Sequence, residues 1–248
     1  KANSLTSQVG KLYRLFFKSV DQQDPTLETS TLKRLVDGVF KFLRAKTYKF
    51  VNKHNVSDIE GKKYYLYPLH KQPEASIDVI GKYYDDQQLN IRNIVSQLKY
   101  DEYLIVKEHS NAIGDRSYNF YKSLSNYPRV LLVDDKANIK KLIETSKGVF
   151  TVSGTAALEA SLMGVQSFCF SNVYFRKLEN CHVISLEHFN KNMLIDAKET
   201  KLSKKQFVEF MLTSACNGII SNPLSDIRCI HPENIKNLTE EFYAVIKK

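Results

Sequence analysis

Apolar residues recur along this chain with two different periods. Up to residue 53 the period is helical. Residues 5–20 read as one amphipathic helix and 31–53 as a second, where Leu32, Leu35, Val36, Val39, Phe40 and Leu43 return every three or four positions. Asp21-Gln-Gln-Asp-Pro25 separates them, since proline disfavours helix at the residue before it. The hydroxyls of Thr29-Ser30-Thr31 suit a cap on the second helix. Residues 54–62 (His-Asn-Val-Ser-Asp-Ile-Glu-Gly-Lys) are polar and predict a linker, dividing a helical segment 1–62 from a domain 63–248.

Beyond residue 63 short apolar runs alternate with helical patterns. Strands are predicted at 64–67, 103–106, 130–133, 149–152, 167–170 and 182–185. Helices are predicted at 83–98, with Leu89, Ile91, Ile94, Val95 and Leu98 as the apolar face, and at 116–124, 139–145, 156–163, 203–214 and 233–246. Strands of four to six residues alternating with helices imply βαβ units and a parallel sheet covered on both faces. Right-handed crossovers then make the expected fold α/β, a Rossmann-like doubly wound domain preceded by helices. Such sheets bind ligands beyond the carboxyl ends of their strands, where the strand order reverses.

Composition narrows the choices. With 43% apolar residues the 248-residue chain can bury a core, which excludes a disordered tail. No apolar run reaches the roughly 20 residues of a membrane-spanning helix. Of the net charge of +9, residues 1–62 hold 12 basic and 6 acidic side chains, whereas 63–248 hold 24 and 21. A basic N-terminal segment suits an anionic membrane surface or a partner domain, or else a solvated helical face. Nucleic acid is not expected, because no arginine-rich run, RNP-like motif or zinc-finger spacing occurs. Cys169, Cys181, Cys216 and Cys229 form no CxxC and fit a reducing cytoplasm, with Cys169 expected as a buried thiol.

Three loops after predicted strands carry the chemistry. After the first strand come His70, Lys71, Gln72, Pro73 and Glu74; after the second, Lys107, Glu108, His109 and Ser110. After the fourth, Ser153, Gly154 and Thr155 lead into a helix carrying Glu159. A Ser-Gly-Thr turn puts free N–H groups and hydroxyls at the positive end of a helix, a site suited to phosphate or carboxylate, and glycine permits close approach. The Walker ending and the nucleophile-elbow pattern are absent. Glu159, four residues after Thr155, can face the same ligand and accept from ribose hydroxyls. Lys107 and a protonated His109 can hold phosphate, and histidine also transfers protons near neutral pH. The acidic pairs Asp85-Asp86 and Asp134-Asp135 lack a spaced Asp-x-Asp and read as helix-start or surface residues, so neither metal nor cofactor is expected.

Taken in order, Tyr67-Pro-Leu-His-Lys-Gln-Pro-Glu74, Val106-Lys-Glu-His109 and Thr151-Val-Ser-Gly-Thr-Ala-Ala-Leu-Glu159 resemble the capsule polysaccharide biosynthesis family. Its members are bacterial GT-B glycosyltransferases related to Kdo transferases and, more loosely, to sialyl- and polysialyltransferases. The resemblance covers about residues 63–190. Ser110 stands where the family carries proline, while His109 keeps its place.

The resemblance implies a nucleotide-activated acidic sugar as donor, commonly CMP-linked, and a glycan or glycolipid acceptor. The cysteines and the basic N-terminal helices, for their part, lead to the expectation of work in the cytoplasm, with the inner face of the membrane or an absent domain as the docking partner of those helices. By resemblance, His109 (the catalytic candidate) and Lys107 contact the donor phosphate, with Glu108 beside them. Ser153, Gly154 and Thr155 bind phosphate or the sugar carboxylate, Glu159 holds the ribose, and His70, Gln72 and Glu74 line the donor cleft. GT-B enzymes pair two Rossmann-like domains, and 62 residues do not hold a complete second one. Together with the start at Lys1 rather than Met, this leads to the expectation of a piece of a longer enzyme whose other half carries the acceptor site. The alternatives are a UDP-sugar or CDP-glycerol polymer transferase, or a non-catalytic scaffold of a capsule assembly complex.

Overall fold

The structure, a computed structural model, describes residues 31–185, 200–214, 217–220 and 226–246. The helix expected at 5–20, the break at 21–25, the capping residues 29 and 30, and Cys216 lie outside the described residues.

Six strands form one sheet: β1 Lys63–Pro68, β2 Glu102–Lys107, β3 Val130–Val133, β4 Gly148–Thr151, β5 Ser167–Cys169 and β6 Cys181–Val183. Their order is β3-β2-β1-β4-β5-β6, and every pairing is parallel. This is the expected doubly wound Rossmann-like sheet, with the order reversing between β1 and β4. Alternate residues of each strand serve opposite faces. Leu66, Ile105 and Val149 enter one cluster with Leu142, Ile143 and Ala160; Tyr67, Leu104, Val106 and Phe150 enter the other with Ile91, Ile94, Tyr121 and Leu124. Helices α3 (Gln87–Gln97) and α4 (Tyr118–Leu124) therefore cover one face, and α5 (Ile139–Glu144) and α6 (Thr155–Leu162) the other. Right-handed crossovers running outward in opposite directions from a switch point require this division. Leu66, Ile105 and Val149 have no exposed surface. Each such burial contributes roughly 1.5–3 kcal/mol, so the strands nearest the switch point are among the most firmly held.

The differences from the sequence-based expectation have local causes. Helix α1 covers Thr31–Thr47, not 31–53; a 3-10 turn Tyr48–Phe50 follows, and Val51 is extended at ψ 130°. There Tyr48 and Val51 turn into the core. Segment 54–62 contains a 3-10 turn Val56–Ile59 with Ile59 buried, and His54 pairs with β3, its N–H donating to Leu132 O at 2.8 Å. A short helix α2, Ala75–Asp78, forms within the loop after β1 because Asp78 Oδ2 accepts the Glu74 N–H at 2.7 Å. Helix α3 starts at Gln87 rather than 83, since Asp86 caps it by accepting from Leu89 N at 2.9 Å. Its inward face is Gln87, Asn90, Ile91, Ile94 and Val95, and Leu89 is exposed. Cys169 is buried in β5 as expected.

The chain divides into two compact units, Lys1–Val173 with Asn180–Ala197, and Tyr174–Glu179 with Lys198–Lys248. The sheet belongs to the first. In the second, α7 (Lys204–Ser214) and α8 (Pro232–Ile246) are the main elements, and Glu179 N and Leu202 N hydrogen-bond to Leu202 O and Lys177 O. Asn234 braces the second unit, accepting from Ile219 N and donating to Ile219 O and Cys229 O.

Candidate functional site

The switch point places the loop after β1 beside the loop after β4. His70, two residues beyond β1, is buried, and its ring reaches the end of β4. Its Nε2 accepts the Val152 N–H at 3.2 Å and lies 2.8 Å from Thr151 Oγ1. Because Nε2 accepts a backbone N–H, it carries no proton. The Thr151 hydroxyl then donates to it, and the ring proton sits on Nδ1. Burial, followed by the charges of Arg116 and His109, holds the His70 pKa down at about 4, so this imidazole is neutral at pH 7. Gln87 fixes the backbone here, accepting the His70 N–H at 2.7 Å and donating to His70 O at 3.1 Å. The polar residue at the start of α3 is thus buried because it positions His70.

Gln87 also donates to Gln72 Oε1 at 2.6 Å, and Gln72 Nε2 reaches Asp85 O at 3.2 Å. Gln72 therefore braces its own loop. Glu74 is exposed at the start of α2.

In the second loop, neighbouring residues take different directions. Lys107 is buried and turned toward the end of β3, donating to Asp135 O at 2.7 Å and Glu108 O at 3.3 Å. Burial lowers its pKa, opposed by Asp135, Glu108 and Asp134. Glu108 has no exposed surface. Its carboxylate accepts from Arg116 at 2.7 and 2.8 Å, from Tyr121 OH at 2.7 Å and from His109 N at 2.7 Å. Burial raises the Glu108 pKa, against the pull of Arg116, Tyr121 and the His109 N–H. Arg116 also donates through Nη2 to His70 O. One guanidinium therefore ties the loop after β2 to the loop after β1. His109 is exposed, and its Nδ1 accepts the Asn111 N–H at 3.2 Å. In the neutral ring the proton is consequently on Nε2, open to a ligand. His109 heads the 3-10 turn Ser110–Ala112, so Ser110 lies in ordered backbone.

In the third loop, Thr151 Oγ1 accepts the Gly154 N–H at 3.0 Å, and Ser153 Oγ donates to Ser76 O. A Cβ on Gly154 would lie 2.7 Å from Thr151 Oγ1 and 3.2 Å from His70 Cε1, so only glycine fits against the histidine. Gly154 caps α6 without a side-chain bond, and among the described residues the N–H groups of Thr155 and Ala156 donate to no protein acceptor. Thr155 and Glu159 lie one turn apart on α6, exposed and half-exposed.

The structure thus brings His70, Ser153, Gly154 and the start of α6 together at the switch point, with His109 exposed at the end of the neighbouring β2. It commits Lys107, Glu108 and Gln72 to internal bonds, while Glu74 and Glu159 remain at the surface. Sequence reasoning missed Arg116, Thr151 as a partner of His70, Gln87 and Tyr121. Asp86 caps α3, and Asp85 pairs with Lys82 at 2.5 Å, in line with the helix-start and surface assignments. Among the described residues, no group of three His, Cys, Asp or Glu side chains could hold a metal ion, and no helix is long and apolar enough to cross a membrane.

A parallel sheet in this order, with a glycine turn and a helix N-terminus at its reversal, defines a Rossmann-like α/β domain. The chain belongs to the capsule polysaccharide biosynthesis protein family, whose sequence model matches residues 31–211. No curated protein matches the sequence significantly.

Similar solved structures include the β-Kdo 2,7 transferase of Thermosulfurimonas dismutans KpsC, at 14% identity and TM-score 0.44, covering 73% of this chain and 52% of that one. The β-Kdo 2,4 transferase of the same KpsC is 13% identical at TM-score 0.45, covering 59% and 43%. A UDP-GlcNAc 2-epimerase from Methanocaldococcus jannaschii is 14% identical at TM-score 0.42, covering 71% and 51%. The chain spans about half the length of these structures.

Proposed function

We propose that this chain is the donor-binding part of a glycosyltransferase of capsular or surface polysaccharide synthesis. It would take an acidic sugar, such as Kdo or sialic acid, from a CMP-linked donor to a glycan or glycolipid acceptor at the inner face of the membrane. The observation that carries this reading is the set of proton donors at the carboxyl ends of the adjacent strands β2, β1 and β4, in a chain of the capsule family. The donors are the Nε2–H of His109, the Nδ1–H of His70, and the free N–H groups opening α6. When a CMP-sugar bond breaks, the departing phosphate gains negative charge, and donors already in place stabilise that charge without reorganising. On this reading Glu159, one helical turn further on, accepts from ribose hydroxyls.

The division of labour differs from the one that the resemblance implies. His109 and the α6 turn hold the phosphate, and His70 donates as a neutral ring. Lys107 and Glu108 shape the site from behind: Glu108 orients His109 through its backbone N–H, and Arg116 holds that carboxylate against the loop of His70. Calorimetric titration with a panel of CMP, UMP and CDP tests the reading. CMP should bind best, and preference for uridine would favour the UDP-sugar alternative.

A further inference from the structure

We propose that α1 is a docking surface for an anionic lipid bilayer, with the apolar side of the helix inserted among the acyl chains. This gives a location to the membrane face in the proposed function and is independent of the donor chemistry. Among the described residues the helix meets the body along one turn only, and its apolar stripe is left open. Val36, Val39, Phe40 and Leu43 form one stripe at helical spacing and are 45%, 59%, 52% and 51% exposed, with Phe42 beside them at 56% and Phe50 beyond the helix at 80%. The opposite side, one turn of Lys41 and Ala45, meets the body. Lys41 Nζ pairs with Asp115 at 2.6 Å, and a Cβ on Gly114 would touch Ala45 Cβ at 3.2 Å. Arg44 adds a bond to Asp115 O at 3.4 Å. An amphipathic helix ordinarily packs its apolar stripe inward; one that leaves the stripe exposed marks an interaction surface.

Charge selects the occupant. From 31 to 53 the sequence carries seven basic residues (Lys33, Arg34, Lys41, Arg44, Lys46, Lys49 and Lys53) against the single acid Asp37. Arg44 lies over the Phe40 ring at 5.9 Å and Lys46 over Phe42 at 5.2 Å, so cations border the exposed aromatics. Phenylalanine and leucine flanked by Lys and Arg are what an in-plane membrane helix needs, the rings entering the acyl boundary and the cations meeting anionic headgroups. Each cation near such a surface adds to the attraction, which salt screens. Helix α8 supplies the contrast. It also exposes Ile235, Phe242, Tyr243 and Ile246, but carries Glu233, Glu240 and Glu241 against Lys236, a charge that anionic lipid repels.

The test is flotation of the full chain with vesicles of phosphatidylglycerol and phosphatidylcholine, compared with phosphatidylcholine alone, at low and high salt. Expected is binding to the anionic vesicles that weakens at least tenfold in Phe40→Ser/Phe42→Ser and in Lys46→Glu/Lys49→Glu, and falls with salt. These positions are exposed, and unchanged circular dichroism and CMP titration would show that fold and donor site are intact. Absence of vesicle binding, or equal binding to both vesicle types, overturns the proposal. So does a dimer in solution that Phe40→Ser/Phe42→Ser abolishes, because a second copy would then cover the face. Loss of CMP binding in the wild-type chain, with vesicle binding retained, would instead sink the donor reading alone.

Discussion

Two histidines, one after β1 and one after β2, are held in opposite tautomers by backbone N–H groups. His70 receives Val152 N–H on Nε2, and His109 receives Asn111 N–H on Nδ1, so each keeps its other nitrogen as a donor. For His70 this has a consequence in pH. Its folded pKa is about 4 against an ordinary 6.5, so between those values the unfolded chain binds the extra proton. Stability contributed by neutral His70 is therefore complete above about pH 6.5 and lost as pH falls toward about 4, a drop of about 3 kcal/mol at most. Urea titrations should show a steeper acid loss for the wild type than for His70→Gln, and a His70 ring signal that titrates near pH 6.5 would contradict the assignment.

Arg116 makes the second residue-scale prediction. Arg116→Met strands the Glu108 carboxylate, which should cost about 3–5 kcal/mol in urea denaturation. Because burial raises the Glu108 pKa in the folded state, protonation relieves that cost, and the penalty should shrink as pH falls. Neither Arg116 nor Thr151 was legible in the sequence. Arg116 meets His70 across 46 positions and Thr151 meets it across 81, and no local pattern reports such pairings. Lys107 and Glu108 were legible as charges at a strand end, but not as buried ones. Whether such a side chain turns to a ligand or to the next loop depends on Asp135 and Arg116, which the motif does not contain.

At the scale of elements, the sheet was legible almost throughout. Each strand is a short apolar run bounded by polar residues, and two-sided burial leaves little else for Val130-Leu-Leu-Val133 or Tyr103-Leu-Ile-Val106 to be. The ends of α1 and α3 were less so. Tyr48 and Val51 continue a helical apolar pattern while belonging to the core beyond the helix, and Asp86 outcompetes the preceding tyrosines by capping. The turn from β4 to α6 is where an element's geometry and the proposed function coincide. Gly154→Ala forces its methyl group onto Thr151 Oγ1 and the His70 ring, displacing both the helix start and the histidine. CMP affinity should fall at least tenfold, while a melting curve shows the fold retained. An unchanged affinity would remove the α6 turn from the site.

For the whole molecule, the loops after β1, β2 and β4 lie at the same end of one parallel sheet, in a chain of the capsule family. On the proposed reading the chain binds the donor, and turnover needs a second domain to present the acceptor. The basic N-terminal segment then has a use apart from the nucleotide: it holds seven cations around α1, while the site itself relies on histidine rings and backbone N–H groups. The most direct test is calorimetric titration of CMP into the wild-type chain and His109→Ala. The account predicts saturable one-site binding, weakened about tenfold or more when His109 is removed, since a hydrogen bond to a charged group is worth about 1.5–3 kcal/mol. No binding at millimolar CMP, or equal affinity in both proteins, would contradict it.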